Sequence, residues 1–306
     1  MPYFKYGNAL RIQGEKIVVL NVIASGEQAD VYRVLNVDRG QYMALKHLYG
    51  NYASDKFLFY RKVCILCKNR HNPIHPDLVW PVAVSQFDAQ TESFCYLMEY
   101  LSEKYKPVAY LMKNPESISF EQRKKIAIRL AEIFMALHQD KYIYSDVSQN
   151  NIQYWIEDCG EVHVKLIDCD NISINGQSLG LVGTGLFRAP EILCGRATPT
   201  VESDIHALAV AVFRMLVGSH PLDGQLTHEH PFTPENIVHF FGKEPVFIFA
   251  GSGQNPPCHA VYWERFQRLD RGLQLYFHLM FSPGCLSRTR PRPLVSLLRD
   301  ALIRCK

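Results

Sequence analysis

Residues 144–151 (YSDVSQNN) and 164–171 (VKLIDCDN) carry the side chains that most constrain the fold and chemistry of this 306-residue chain. Asp146 and Asn151 stand five positions apart, so Asp146 could accept a hydroxyl proton while Asn151 holds a metal ion. Asp168 ends an apolar, strand-like run, and Mg²⁺ favours sites built from few carboxylates and substrate phosphates. The two stretches therefore favour metal-assisted chemistry on a phosphate group.

Two upstream segments fit the same chemistry. Residues 24–31 (ASGEQADV) lie between two β-type runs, where a phosphate-covering turn needs small residues so that backbone N–H groups can approach oxygen atoms. Of three expected glycines only Gly26 is present, so an ordinary hairpin is the alternative. Lys46 ends residues 43–46 (MALK), at a strand position from which a lysine can pair with α- and β-phosphates. Taken alone, Lys46 could equally be a solvated edge residue.

Two downstream segments, residues 183–191 (GTGLFRAPE) and 202–208 (ESDIHAL), complete six pieces that stand in one order. In that order they resemble the Hanks-type, eukaryotic-like protein kinase family, whose signatures are a Gly-rich loop, a strand lysine, a His-Arg-Asp loop, Asp-Phe-Gly and Ala-Pro-Glu. The resemblance covers essentially the whole chain. Divergent bacterial-type members look closest to the segments around Asp146 and Asp168.

The resemblance implies an α+β, two-lobed kinase fold in a single domain, residues 1–306. Residues 1–101 would form the N-lobe and hinge, an antiparallel sheet plus one helix. Residues 102–306 would form a mainly helical C-lobe.

The same resemblance assigns roles to individual residues. Met98 resembles the gatekeeper before an adenine-binding hinge, and Glu191 resembles the partner of a late arginine, Arg292. ATP and Mg²⁺ are the implied cofactors. The implied site residues are the catalytic Asp146 and Lys46, the nucleotide-binding Gly26, Val31, Ala44, Lys46, Glu99 and Leu101, and the metal ligands Asn151 and Asp168.

The residue pattern itself divides the chain into a β-rich part and a helical part. β-branched residues and turn residues predict three strands, a helix that Ser54 or Asp55 begins, and two more strands, at residues 16–23, 29–37, 41–47, 55–68, 79–87 and 94–99. From Ser119 onward apolar residues recur at helical spacing, so we expect helices in most of the remainder.

Composition narrows the class of protein. Hydrophobic residues make up 47% and charged residues 21%, which is typical of a globular protein rather than a disordered one. No apolar run approaches the roughly 20 residues of a membrane-spanning helix, and residues 1–7 lack the apolar region of a signal peptide. The net charge is +3 and basic residues are spread out, so we expect neither a nucleic-acid nor a membrane partner. The nine cysteines do not resemble a disulfide framework, and we expect a cytoplasmic protein.

Departures from the family pattern bear on activity. No glutamate occurs between residues 27 and 92, so the N-lobe helix offers Lys46 no acidic partner, and the expected pairing position falls near Arg61 or Lys62. Ser148 replaces a lysine, and Asp170 replaces the glycine of Asp-Phe-Gly, which reduces backbone freedom there. Either replacement could weaken catalysis.

Three functions compete. Because the catalytic and metal-binding residues all remain, we favour a serine/threonine-protein kinase that transfers the γ-phosphate of ATP to a protein substrate. A pseudokinase, a nucleotide-binding scaffold without transfer activity, is the first alternative. A small-molecule kinase is the second, although that class lacks a segment like residues 183–191. Thr184 matches the residue that steadies the catalytic aspartate in serine/threonine kinases.

Regulation by loop phosphorylation is not expected. The arginine that captures an activation-loop phosphate in many kinases is Ser145 here, and serine has no charge to hold a phosphate. Phosphorylation of Ser173, Ser178 or Thr184 would therefore gain little. We expect control by expression, by substrate supply or by a regulatory protein partner.

Overall fold

An antiparallel sheet forms from the β-branched segments near the N-terminus. The computed structural model describes residues 2–68, 75–174 and 185–305. The strands of the sheet are β1 (Ala9–Ile12), β2 (Glu15–Ser25), β3 (Ala29–Asn36), β4 (Gln41–Leu48), β5 (Ala83–Val84) and β6 (Phe94–Glu99). Their order in the sheet is β1-β2-β3-β4-β6-β5, and every neighbouring pair is antiparallel.

The sheet has two different faces because side chains alternate along each strand. Tyr32, Leu45 and Leu97 belong to one buried apolar cluster. Lys46 follows Leu45 and is paired in register with Val31 on β3 and Tyr96 on β6. Residues opposite each other in a ladder share a face, so Lys46, Val31 and Tyr96 lie on the face away from that cluster.

One helix accompanies the sheet, α1 (Lys56–Lys68). It begins where predicted, because the Asp55 carboxylate accepts the Leu58 N–H at 2.8 Å. Phe59, Val63 and Leu66 form its buried stripe. The Asn72-Pro73 signal expected to stop this helix lies outside the described residues.

The rest of the chain is mainly helical. Its helices are α2 (Ala109–Lys113), α3 (Phe120–Gln139), α4 (Pro190–Leu193), α5 (Val201–Val217), α6 (Gln225–His228), α7 (Pro234–Val238), α8 (Ala260–Gln267), α9 (Arg271–Met280), α10 (Pro283–Leu286) and α11 (Val295–Arg304). Short strands are β7 (Lys106–Pro107), β8 (Tyr142–Ile143), β9 (Ile152–Ile156), β10 (Val162–Leu166) and β11 (Ser173–Ile174).

Helix α5 is buried on almost every side, as an all-round apolar helix must be in a folded core. Helix α3 starts at a capping box, in which Ser119 and Gln122 bond reciprocally, and packs against α5 and α11. None of the helices in the described ranges combines the length and apolar composition that crossing a bilayer requires.

The chain divides into two compact units. The first contains Met1–Tyr105 and Leu166–Asp170, and the second contains Lys106–Lys165 and Asn171–Lys306. The predicted α+β fold is confirmed, with a sheet and one helix in the first unit and mostly helices in the second. The exact boundary at residue 101 stays a prediction.

Candidate active site

Strand β4 presents Lys46 to two carboxylates in the segment that follows β10. The Lys46 Nζ lies 3.1 Å from Asp168 Oδ1 and 3.0 Å from Asp170 Oδ2. The side chain of Asp170 is only 2% exposed, whereas that of Asp168 is 34% exposed. Asp168 is therefore the carboxylate of this group that a solvent-borne ligand can reach.

Electrostatics keep this group ionised. Burial opposes the charge of Lys46, but Asp168 and Asp170 outweigh it and raise the pKa of Lys46 above its ordinary value. Burial also opposes the charge of Asp170, but Lys46 and, to a smaller extent, Lys62 hold its pKa below the ordinary value. The ion pairs persist at neutral pH as a result.

Helix α1 offers Lys46 no acidic partner, as the sequence predicts. In the described part of the chain, the carboxylates paired with Lys46 are those of Asp168 and Asp170. Arg61 is exposed, whereas Lys62 is half-buried with its Nζ 4.6 Å from the centre of the Phe59 ring. Burial lowers the pKa of Lys62 to about 8, even though Asp170 acts in the opposite direction.

Two of the predicted nucleotide-binding residues share the Lys46 face of the sheet. Val31 is directly opposite Lys46, and Ala44 is two residues before it on the same strand, paired in register with Met98. Ala44 is buried and Val31 is half-buried. The structure thus brings Val31, Ala44 and Lys46 together, next to the predicted gatekeeper.

The predicted hinge residues follow at the end of β6. Glu99 is its last residue and is exposed, while Leu101 is half-buried two positions further along the chain. Their nucleotide-binding role stays a prediction.

Gly26 lies in the exposed turn between β2 and β3. Its N–H donates to Ala29 O at 3.0 Å, and its carbonyl accepts from the Tyr49 hydroxyl at 2.7 Å. The Ser25 and Tyr49 hydroxyls both donate to Asp30, which is fully buried. Side chains therefore hold the turn, and the phosphate-covering role of Gly26 stays a prediction.

In the second unit, Asp146 is fixed by two amides, one from its own loop after β8 and one from the turn after β10. Asn151 Nδ2 donates to the Asp146 carbonyl at 3.0 Å and to its Oδ2 at 3.2 Å, and Asn171 Nδ2 lies 3.4 Å from the same Oδ2. Ser148, which replaces the family's lysine, accepts the Asn151 N–H with its Oγ at 3.2 Å. Because Asn151 donates with Nδ2, its Oδ1 is the atom it can offer to a cation.

Asp204 holds this loop from the first turn of α5, a role that the sequence analysis did not assign. Its carboxylate accepts the N–H groups of Tyr144 at 2.6 Å and of Ser145 at 3.0 Å, and lies 3.3 Å from His138 Nε2. Ser145 has φ 68°, a left-handed conformation that costs a non-glycine residue free energy. An acidic residue at the start of the long apolar run of α5 is the sequence signal that could have identified it.

The predicted pair of Glu191 and Arg292 is confirmed. The guanidinium donates through Nη1 and Nη2 to Oε1 and Oε2 of Glu191, each at 2.7 Å. The Arg292 side chain is fully buried. This bidentate contact ties α4 to the segment before α11.

The predicted residues thus form two groups. Lys46 and Asp168 meet in the first unit, and Asp146 and Asn151 meet in the second. Both Asp168, with φ 56°, and Ser145 hold left-handed backbone conformations, which often mark functional sites. Thr184 and Ser178 lie outside the described residues.

A cavity of about 1060 Å³ in the first unit is lined by none of these predicted residues. It is bordered by His47 and Cys95, on the face of the sheet away from Lys46, and by Cys64 and Cys67 of α1. It is therefore distinct from the Lys46 site.

Comparison with known proteins agrees with the fold. Residues 17–242 match the family model described as the protein kinase domain. The serine/threonine-protein kinase PrkC of Bacillus subtilis (strain 168) is 25% identical over 221 residues, covering 70% of this chain and 32% of that protein. The serine/threonine-protein kinase MRCK gamma of Homo sapiens is 24% identical over 253 residues, covering 79% of this chain and 15% of that protein.

The match covers more than half of the chain, and the chain accordingly belongs to the Hanks-type protein kinase family. It spans about a third or less of the length of these two relatives.

Proposed function

We propose that this chain is an active serine/threonine-protein kinase that uses ATP and Mg²⁺ and phosphorylates hydroxyl groups of protein substrates. The observation that carries the proposal is the Asp146 carboxylate, oriented by the Asn151 amide at 3.2 Å. A general base needs a fixed orientation more than it needs an unusual pKa.

The residues fit the two implied cofactors. Asp168 and Asn151 offer oxygen ligands of the type that Mg²⁺ prefers, and Asp168 is accessible. When bound, Mg²⁺ would neutralise phosphate charge during transfer. Lys46 would hold the α- and β-phosphates, and Val31 and Ala44 would supply apolar contacts to the adenine. Gly26 would cover the phosphates, and the backbone of residues 99–101 would bind the adenine edge.

In the proposed reaction, Asp146 accepts the proton of the substrate hydroxyl. The hydroxyl oxygen forms a bond to the γ-phosphorus while the bond to the bridging oxygen of ADP breaks. The products are a phosphorylated serine or threonine and ADP.

The pseudokinase alternative has one specific observation in its favour. Lys46 is tied to Asp170, at a position where the family signature has glycine. A pseudokinase would bind nucleotide through the same residues but would transfer no phosphate. For the location, we propose the cytoplasm, which nine cysteines without the pattern of a disulfide framework support.

The test compares two aspartate variants in ATP, Mg²⁺ and a generic protein substrate. Asp146→Ala should abolish transfer and keep ATP binding, whereas Asp168→Ala should also weaken Mg²⁺-dependent ATP binding because it removes a metal ligand. Mass spectrometry of the substrate and calorimetric titration with ATP measure the two effects. Asp158→Ala, which changes an exposed hairpin residue, is the matched control.

Phosphate transfer by Asp146→Ala at the native rate would contradict the assignment of Asp146 as the general base. Nucleotide binding by the unmodified protein with no transfer to any substrate or to itself would favour the pseudokinase.

A further inference from the structure

Asp170, which follows Asp168 and Cys169, is more deeply buried than is usual for a carboxylate. It lies in a 3-10 turn (Cys169–Asn171), and its side chain is 2% exposed. Oδ2 pairs with Lys46 at 3.0 Å. Oδ1 is buried as well, and the hydroxyl of the fully buried Tyr96 also acts on this carboxylate as a hydrogen-bond donor. Burial of such a group is costly unless cations compensate it.

Two cations provide that compensation. Lys46 contacts Asp170 directly, and Lys62 of α1 acts on it electrostatically. With Asp168, the group then contains two positive and two negative charges within the first unit. The signs are exchanged relative to the family pattern, since the helix carries the cation and the segment after β10 carries the acid.

We propose that Asp170 is the positioning residue that orients Lys46 for nucleotide phosphates, in place of the absent helix glutamate. This inference rests on the proposed nucleotide-binding function of Lys46.

The division of labour between the two carboxylates supports this assignment. Asp168 is accessible and is the candidate metal ligand, so its carboxylate would bind the cation instead of orienting Lys46. Asp170 is too buried to reach a solvent-borne ligand, so its carboxylate stays with Lys46. The Tyr96 ring, 5.9 Å from Lys46 Nζ and fully buried, limits where the ammonium group can move.

The experiment exchanges the charges one at a time and together. Asp170→Asn should lower affinity for the non-hydrolysable nucleotide AMP-PNP at least tenfold, with a larger rise in KM for ATP than fall in kcat. Lys62→Glu alone should also lower this affinity, because it adds a third carboxylate to the group. The double variant Asp170→Asn/Lys62→Glu places an acid on the helix. It should bind AMP-PNP at least threefold more tightly than Asp170→Asn alone.

Two matched measurements separate positioning from general damage. Lys68→Glu changes the exposed last residue of the same helix. It should leave the affinity for AMP-PNP unchanged, both in the native protein and in the Asp170→Asn variant. Additive effects of Asp170→Asn and Lys62→Glu, or native affinity in Asp170→Asn, would overturn the inference. If Asp170→Asn does not fold, recovery of folded, nucleotide-binding protein in the double variant supports the pairing, and its failure to recover overturns it.

Failure of the proposed function gives a different result. Absence of transfer in the native protein would contradict the kinase proposal while leaving the affinity comparison intact. A native protein that does not bind AMP-PNP would overturn both.

Discussion

Tyr144 shows how a single residue supports the candidate catalytic loop. Its side chain is fully buried, its ring centre lies 6.0 Å from that of Phe134, and its N–H is bound by Asp204. Tyr144→Ala should remove the packing and leave a cavity, lowering the free energy of unfolding by about 3 to 5 kcal/mol. Urea denaturation measures this change.

The control for Tyr144 is Tyr110→Ala, because Tyr110 is 56% exposed on α2. It should change the free energy of unfolding by about 0.5 kcal/mol or less. Equal stability losses in the two variants would contradict a packing role for Tyr144.

The sequence predicts well those residues whose role follows from their spacing within a motif. It is less informative about which side chains contact each other in the folded chain. The neighbours of Lys46 in the sequence predict its position on a strand, and the absence of glutamate between residues 27 and 92 predicts that α1 offers it no acidic partner. Its replacement partner, Asp170, is distant in the chain by 124 positions. Only the folded chain shows that this carboxylate is buried against Lys46, because the replacement of glycine by aspartate indicates by itself only a loss of backbone freedom.

At the scale of elements, long and strongly patterned segments were predicted well. Strands β2, β3, β4 and β6 and helix α1 lie within one or two residues of expectation. Strand β1 was not predicted, because four residues give too little alternation to distinguish a strand from a loop. Strand β5 is expected over residues 79–87 but has two residues, because the Val79 N–H donates to the Leu166 carbonyl at 2.8 Å and Pro81 has no N–H to donate.

The pairing between α4 and the segment before α11 gives a second prediction. Arg292→Leu removes the bidentate partner of Glu191, whose side chain is 11% exposed, and leaves it the longer contact with Arg288 Nε at 3.7 Å. The free energy of unfolding should fall by about 3 to 5 kcal/mol. The matched control is Arg299→Leu, because Arg299 forms a surface ion pair with Asp300 and should lose about 1 kcal/mol or less. Comparable losses in the two variants, measured by urea denaturation, would contradict the prediction.

At the scale of the whole molecule, the histidines differ in burial, and the sequence does not show which of them are buried. Composition counted twelve histidines without indicating which are enclosed. His206 and His220 are buried in the second unit, whereas His228 is exposed. The first two lie in or after the apolar helix α5, whose burial on all sides depends on the helices packed around it.

These two buried histidines make the stability of the folded protein pH-dependent. His220 Nδ1 accepts the Leu222 N–H at 3.1 Å and Nε2 lies 3.0 Å from the Leu186 carbonyl, so the neutral, Nε2-protonated ring satisfies both contacts. Burial, reinforced by Arg214, lowers the pKa of His220 from 6.5 to about 4. Burial, reinforced by Arg292, places the pKa of His206 well below 6.5.

In the unfolded chain these histidines bind protons below about pH 6.5, whereas in the folded chain His220 stays neutral until the pH falls to about 4. Stability is therefore full above pH 6.5 and falls as the pH decreases toward 4, by about 3 kcal/mol for His220 alone. His220→Asn keeps an acceptor for the Leu222 N–H and should flatten the decline of unfolding free energy between pH 6.5 and 4.5. Urea denaturation across this interval measures the slope, and His228→Asn should leave it unchanged. A slope in His220→Asn equal to that of the native protein would show that protonation of His220 is not coupled to unfolding.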